Sequence, residues 1–121
     1  DAMLDRARTA LRAGARAKRL LVSDRQRTYF VESAAVDWIE SDRNYVVLHA
    51  GGAEHIVRGT LEAYVRGLDP ELFVRINRSQ VVNRDAVVEL RPWPHGERQV
   101  VVRDGTLLIW TRRYRDAAAD D

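Results

Sequence analysis

From Leu20 onward the sequence is cut into short runs of β-branched and aromatic residues, each closed by turn-forming residues. Leu20–Val22, Thr28–Val31, Val36–Ile39, Tyr45–Leu48 and His55–Val57 form a first series. Val74–Asn77, Val81–Asn83, Val87–Leu90, Gln99–Arg103 and Leu107–Trp110 form a second. Side chains of this kind pack well on a pleated, half-buried surface, and runs of four to six residues have the length of ordinary strands. Gly51-Gly52 fits a tight hairpin between residues 45–50 and 53–58, and Asp104-Gly105 is a second strong hairpin signal. Between the two series, Thr60 suits a helix N-cap, with Leu61, Tyr64, Val65 and Leu68 on one face of a short helix that Asp69-Pro70 ends. Pro92–Gly96 reads as a longer, stiffer loop. The pattern predicts a mostly β fold of about ten short strands with one short helix.

Residues 1–19 differ. Residues 3–19 are rich in Ala, Leu and Arg and lack proline, which predicts an N-terminal linker or signalling helix. Its apolar stripe of Leu4, Ala7, Leu11 and Ala15 is thin beside the stripe of Arg8, Arg12, Arg16 and Arg19. Such a helix suits a connection to an upstream domain or pairing with a second copy, and a merely solvated helix fits equally well. The expected division is therefore 1–19 linker helix, 20–116 folded domain and 117–121 disordered acidic tail. The chain starts at Asp1, as expected for a piece of something longer.

The 121 residues suffice for one domain with its own core. There is no cysteine, so disulfides, thiolate nucleophiles and cysteine-based zinc sites are excluded. No apolar run is long enough to span a bilayer, and the start carries no signal-peptide pattern. The net charge is only +2, but Lys18 is the sole lysine, so the positive charge is almost all arginine. Arginine forks onto phosphates and guanine edges better than lysine does.

Reaction chemistry finds little support. His49, His55 and His95 have no metal-ligand spacing; a two-residue Gly51-Gly52 turn sets His49 opposite Glu54 and His55 opposite Leu48, on opposite sheet faces. No serine lies in a nucleophile elbow, and no glycine-rich phosphate loop precedes a helix. Asp37, Glu40 and Asp42 read as a solvated face. No enzyme activity, cofactor or metal is expected.

Nucleic-acid chemistry finds more. In Phe73–Asn83 the alternation of Val74 and Ile76 with Arg75 and Asn77 marks a half-buried strand. Continuing it would turn Arg78 into the core at prohibitive cost, so the strand is expected to stop and present Arg78 and Ser79 to solvent. Ser41–Tyr45 and Thr111–Arg115 are two further polar, arginine-bearing clusters at strand ends. Each alone is more often a solvated loop. Together they favour nucleic acid, provided the fold gathers them on one side.

Residues 20–116 resemble the LytTR family of bacterial DNA-binding output domains, commonly attached to response-regulator receivers. The resemblance rests on Trp38-Ile-Glu-Ser-Asp-Arg-Asn-Tyr-Val46, Val57-Arg-Gly-Thr-Leu61, Phe73-Val-Arg-Ile-Asn-Arg-Ser79 with Val82-Asn83, and Asp104-Gly105 followed by Thr111-Arg-Arg-Tyr114. It implies an elongated fold of packed β-sheets whose loops enter successive major grooves of direct-repeat sites, often with bending of the DNA. By position it places Asn44 in a first DNA-facing loop, Arg78 and Ser79 in a middle loop, and Arg113 in a C-terminal one with Thr111 and Arg112 beside it; Arg43 and Asn77 belong to the first two of these clusters and are expected to bind DNA with them. Arg78 and Arg113 are expected at base edges or the phosphates beside them; Arg43, Ser79 and Arg112 at the backbone; Asn44 at either. Two positions depart from the family pattern, Asn77 where His is usual and Thr111 where Ser is usual.

The resulting expectation is a sequence-specific DNA-binding transcriptional regulator domain in the bacterial cytoplasm. Its partners would be double-stranded DNA, an upstream receiver or sensor domain, and a second copy on DNA. The alternative is a protein-interaction or ligand-sensing β module using the same loops, with Trp93 and the N-terminal helix as contact points.

Overall fold

A computed structural model describes residues 18–119, in which ten strands form three antiparallel sheets. Strands β1 (Arg19–Ser23) and β2 (Thr28–Glu32) make a two-stranded sheet. The central sheet has the order β5-β4-β3-β7-β6, built from β3 (Trp38–Asp42), β4 (Tyr45–Ala50), β5 (Ala53–Arg58), β6 (Phe73–Asn77) and β7 (Gln80–Asn83). Helix α1 (Leu61–Val65) connects β5 to β6, with the Thr60 hydroxyl accepting from the Ala63 N–H at 3.2 Å. Strands β8 (Val87–Pro92), β9 (Arg98–Val102) and β10 (Leu107–Trp110) make the third sheet, and helix α2 (Arg112–Ala119) follows.

The inner strands of the central sheet are buried on both faces, while Tyr45 and Ile56 on its β4–β5 wing are exposed. In β3, Ile39 packs to one side with Val46, Leu48, Phe73 and Val81, under the β1–β2 hairpin and α1, which supply Leu20, Val22 and Leu61. The adjacent Trp38 packs to the other side with Val74, Ile76 and Val82, against Val100, Val102 and Leu108 of the third sheet. Registers agree with this: Trp38 lies opposite Val82 and Ile39 opposite Val81, each pair sharing a face. That is why the adjacent Phe73 and Val74 of β6, and Val81 and Val82 of β7, are all buried. Each fully buried Ile, Leu or Val contributes about 1.5–3 kcal/mol of transfer free energy.

At the end of β3 remote from the Arg43-Asn44 turn, polar groups tie the layers together. Asp37 is buried, and its Oδ1 accepts from Arg103 Nε at 2.5 Å while its Oδ2 accepts from the Gly51 N–H at 3.1 Å. Trp38 Nε1 donates to Asp104 Oδ2 at 3.2 Å. Asn83 is wholly buried; its Nδ2 donates to the Val36 carbonyl at 2.9 Å, and its Oδ1 accepts from the Asp85 N–H at 2.9 Å. The β9–β10 hairpin and the β7–β8 connection are thereby pinned to the start of β3.

Several expectations are corrected. The third strand begins at Trp38 rather than Val36, because Ser33–Ala35 form a 3-10 turn that Val36 closes. The acids around it are not one solvated face: Asp37 is buried against Arg103, Glu40 is half-buried beside His49, and only Asp42 is exposed. A second helix, α2, begins where a loop was expected, and residues 117–119, assigned to the tail, form its last turn. The N-terminal helix and its proposed pairing role lie outside the described residues, apart from Lys18, whose carbonyl accepts from the Ser33 N–H, and Arg19 at the start of β1.

Asn83→Ala removes partners from the buried Val36 carbonyl and from the Asp85 N–H, and leaving such groups unpaired costs about 1–3 kcal/mol. Urea denaturation is expected to show a loss in that range with an unchanged slope. A change near zero would mean that the amide is not holding the two segments together.

Candidate nucleic-acid interface

The opposite end of the central sheet carries the β3–β4 and β6–β7 turns. The first is the two-residue turn Arg43-Asn44, closed by the Asp42–Tyr45 pair. Arg43 sits at φ 58, a left-handed conformation uncommon for a residue with a Cβ. The Asn44 carbonyl accepts from the Gly59 N–H at 2.8 Å, and Gly59 has φ 143, which glycine adopts freely. This bond links the first turn to the end of β5, where Arg58 is exposed opposite Tyr45.

The second turn, Arg78-Ser79, lies alongside. The Ser41 N–H donates to the Ser79 carbonyl at 2.9 Å, joining the two turns directly. Strand β6 does stop at Asn77, with Arg78 and Ser79 exposed and Val74 and Ile76 buried. The turn is held from behind. Asn77 Oδ1 accepts from the Ser79 N–H at 2.8 Å, and Arg75 donates through Nε to the Asn77 carbonyl at 3.3 Å and through Nη2 to the Arg78 carbonyl. Arg75 also pairs with Glu62 of α1 at 2.9 Å and lies 5.5 Å from the Tyr114 ring centre. The Arg75 hydrogen bond is the main cause holding the Glu62 carboxyl below its ordinary range, with the nearby Arg78 charge adding to it.

The third cluster reaches the same end. The Thr111 N–H donates to the Ile76 carbonyl at 2.9 Å, and Asn77 Nδ2 donates to the Ile109 carbonyl at 2.9 Å. The Thr111 carbonyl accepts from the N–H groups of Tyr114 and Arg115, so α2 starts there. Arg112 and Arg113 are exposed in its first turn. Arg115 turns back instead and donates to the Gly96 carbonyl, fastening the Pro94–Gly96 loop to the helix.

The fold thus brings together all eight residues singled out from the sequence. Arg43, Asn44, Arg78, Ser79, Arg112 and Arg113 face solvent, and these four arginines form no ion pair among the described residues. Guanidinium groups left unpaired on one edge create a positive potential suited to a polyanion. Asn77 and Thr111 are half-buried, with side chains directed into the protein. Arg58 and Arg75 were not singled out. Arg58 is a further exposed cation at this end without an ion pair among the described residues, marked only by its place before Gly59-Thr60. Arg75 was assigned to the open face of a half-buried strand, and the unforeseen α2 covers it. The composition of Arg112–Ala119, free of Gly and Pro, carried that helix signal.

Metal chemistry gains nothing: among the described residues no group of three or more His, Asp or Glu is placed to hold an ion. His49 does lie opposite Glu54 and His55 opposite Leu48. His49 stacks on Trp38 at 3.8 Å with Glu40 2.5 Å from its Nε2, while His55 meets the Tyr29 hydroxyl at 2.8 Å.

Comparison with known proteins agrees with this architecture. The sequence model described as "LytTr DNA-binding domain" matches residues 26–119. The chain is 22% identical over 101 residues to the sensory transduction protein LytT of Enterococcus faecalis, covering 84% of this chain and 42% of that protein. It is 23% identical over 96 residues to the sensory transduction protein LytT of Bacillus subtilis, covering 79% of this chain and 40% of that protein. The chain therefore spans less than half the length of these relatives. Among solved structures it resembles the LytTr DNA-binding domain of a Bacillus cereus protein designated a methyl-accepting/DNA response regulator. There the TM-score is 0.74 at 16% identity, covering 85% of this chain and 94% of that one.

If Arg75 holds the middle turn, Arg75→Met, which keeps the stem and removes the guanidinium, speeds exchange of the Ser79 amide proton. The expected factor is about threefold to tenfold, the worth of one ordinary hydrogen bond. Unchanged exchange at Ser79 would mean that Asn77 suffices alone.

Proposed function

The chain belongs to the LytTr DNA-binding domain family, and on that premise we propose that its three-cluster edge reads a specific duplex on behalf of a transcriptional regulator. One observation carries this reading. Three polar clusters far apart in sequence meet at one end of a sheet, with Arg43, Arg78, Arg112 and Arg113 exposed and unpaired. Holding like charges on one edge with none of the four in an ion pair among the described residues is unfavourable in the isolated domain and becomes favourable against phosphates.

Within this reading Arg78 and Arg113 approach base edges, where a guanidinium can donate two bonds to guanine. Arg43, Ser79 and Arg112 fix the domain on the phosphates, and Asn44 serves either purpose. The loops enter successive major grooves of direct-repeat sites, two copies occupying one promoter. The two LytT relatives are sensory transduction proteins more than twice the span matched here, so an upstream receiver or sensor domain is the natural source of the signal. No helix among the described residues is long and apolar enough to cross a membrane. Binding of this kind needs no reaction chemistry, and we assign the domain none. It acts where promoter DNA is, in the cytoplasm.

Anisotropy titrations with a selected and a scrambled duplex, repeated over a range of salt, test the assignment. Arg113→Ala is expected to cost about 1–3 kcal/mol on the selected duplex and much less on the scrambled one. Arg112→Ala is expected to weaken both and to flatten the log-affinity against log-salt line by about one unit. Equal losses for Arg113→Ala on both duplexes would remove its base-reading role. No binding of the unaltered domain at low salt would remove the function.

A further inference from the structure

We infer that Asn77 is a positioning residue that holds the middle loop and the C-terminal arm in one fixed relation, so that Arg78 and Arg113 read DNA as a unit. The inference rests on the DNA-reading function proposed above and concerns how that surface is set.

The Asn77 side chain is fully engaged inside the protein. Its Nδ2 donates to Gln80 Oε1 at 2.8 Å and to the Ile109 carbonyl at 2.9 Å, and its Oδ1 accepts from the Ser79 N–H at 2.8 Å. Reversing the amide would set Nδ2 against the Ser79 N–H and Oδ1 against the Ile109 carbonyl, so the partners dictate its orientation. Both amide hydrogens are spent, and nothing is left to donate to a base.

The three bonds have different addresses. One closes the Arg78-Ser79 turn from within, and one braces the first residue of β7. The third crosses to another sheet and grips β10 two residues before Thr111. Thr111 returns the grip, its N–H donating to the Ile76 carbonyl at 2.9 Å with its Oγ1 3.4 Å from the same atom. The last residues of β6 and the start of α2 are thus buttoned together by reciprocal bonds. Arg78 is the residue after Asn77, and Arg113 follows Thr111 by two. A displacement at this joint moves both arginines, and a guanidinium fork moved off a base edge loses its paired hydrogen bonds.

Asn77→Ser separates the roles: its hydroxyl can still accept from the Ser79 N–H but is too short to bridge to the Ile109 carbonyl. Measured by anisotropy on a duplex selected from a randomised pool and on its scrambled counterpart, the ratio of the two affinities is expected to fall about tenfold. The salt slope stays unchanged, because no phosphate contact is lost. The deciding measurement repeats the substitution with Arg113→Ala already present. One lost base contact leaves most of a specific preference in place, so a further loss remains measurable. If Asn77 acts by placing Arg113, the second loss shrinks to about threefold or less. If the two losses multiply in full, Asn77 works independently of Arg113 and the inference fails, while the DNA-reading function stands. If the unaltered domain does not prefer the selected duplex, the function fails and the inference with it. Should Asn77→Ser not fold, Asn77→Thr, which keeps the accepting hydroxyl and has a β-branched side chain suited to a strand end, gives the same comparison. Neither substitution adds charge.

Discussion

The inner strands of the central sheet are covered on both faces, and most of the molecule follows from that. Ile39 and Val81 face one core while their neighbours Trp38 and Val82 face the other, so neither side of these strands is left for a partner. What they offer is their ends, while Tyr45 and Ile56 on the β4–β5 wing stay exposed. One end is consumed in structure: Asp37 with Arg103, Trp38 with Asp104, and Asn83 with Val36 bind the outer layers to the middle one. The other end has its backbone tied by Ser41 to Ser79 and Thr111 to Ile76, yet Arg43, Arg78, Arg112 and Arg113 there form no ion pair among the described residues. Buried charges without partners are costly, which is why the buried Asp37 is matched by Arg103 and Arg78 is kept in water.

Much of this is legible in the sequence because it is encoded locally. Short β-branched runs, Gly51-Gly52 and Asp104-Gly105 located the strands and hairpins, and turn length set His49 opposite Glu54. Thr60 was recognisable as a cap from its chemistry and position. The exposure of Arg78 followed from the cost of turning a guanidinium inward. What was missed depends on distant residues. Asp37 looks like one acid among three until Arg103, 66 positions later, arrives beside it. Arg75 looks solvent-facing until α1 supplies Glu62 and α2 supplies Tyr114. The third strand was misplaced because a 3-10 turn of small residues has no strong periodic signature.

For the site, the sequence named the clusters, and tertiary structure divided their members. Asn77 and Thr111, the two departures from the family pattern, looked like altered DNA contacts. In the fold they face inward, at the joint between the middle loop and the C-terminal arm. On the proposed reading, variation at this joint would alter how the arginines are presented rather than which residues touch DNA. A binding edge of this kind can change its preference without gaining or losing a contact residue.

On the proposed reading, DNA is bound at this one end of the sheet. Backbone amide shifts of the labelled domain, followed by NMR as a selected duplex is added, test it most directly. The expected result is that the largest changes fall at Arg43-Asn44, Arg78-Ser79 and Thr111–Arg113, while the exposed apolar positions Leu21, Phe30, Val88 and Leu107 stay still. Changes concentrated at those apolar positions, with the three clusters silent, would contradict it.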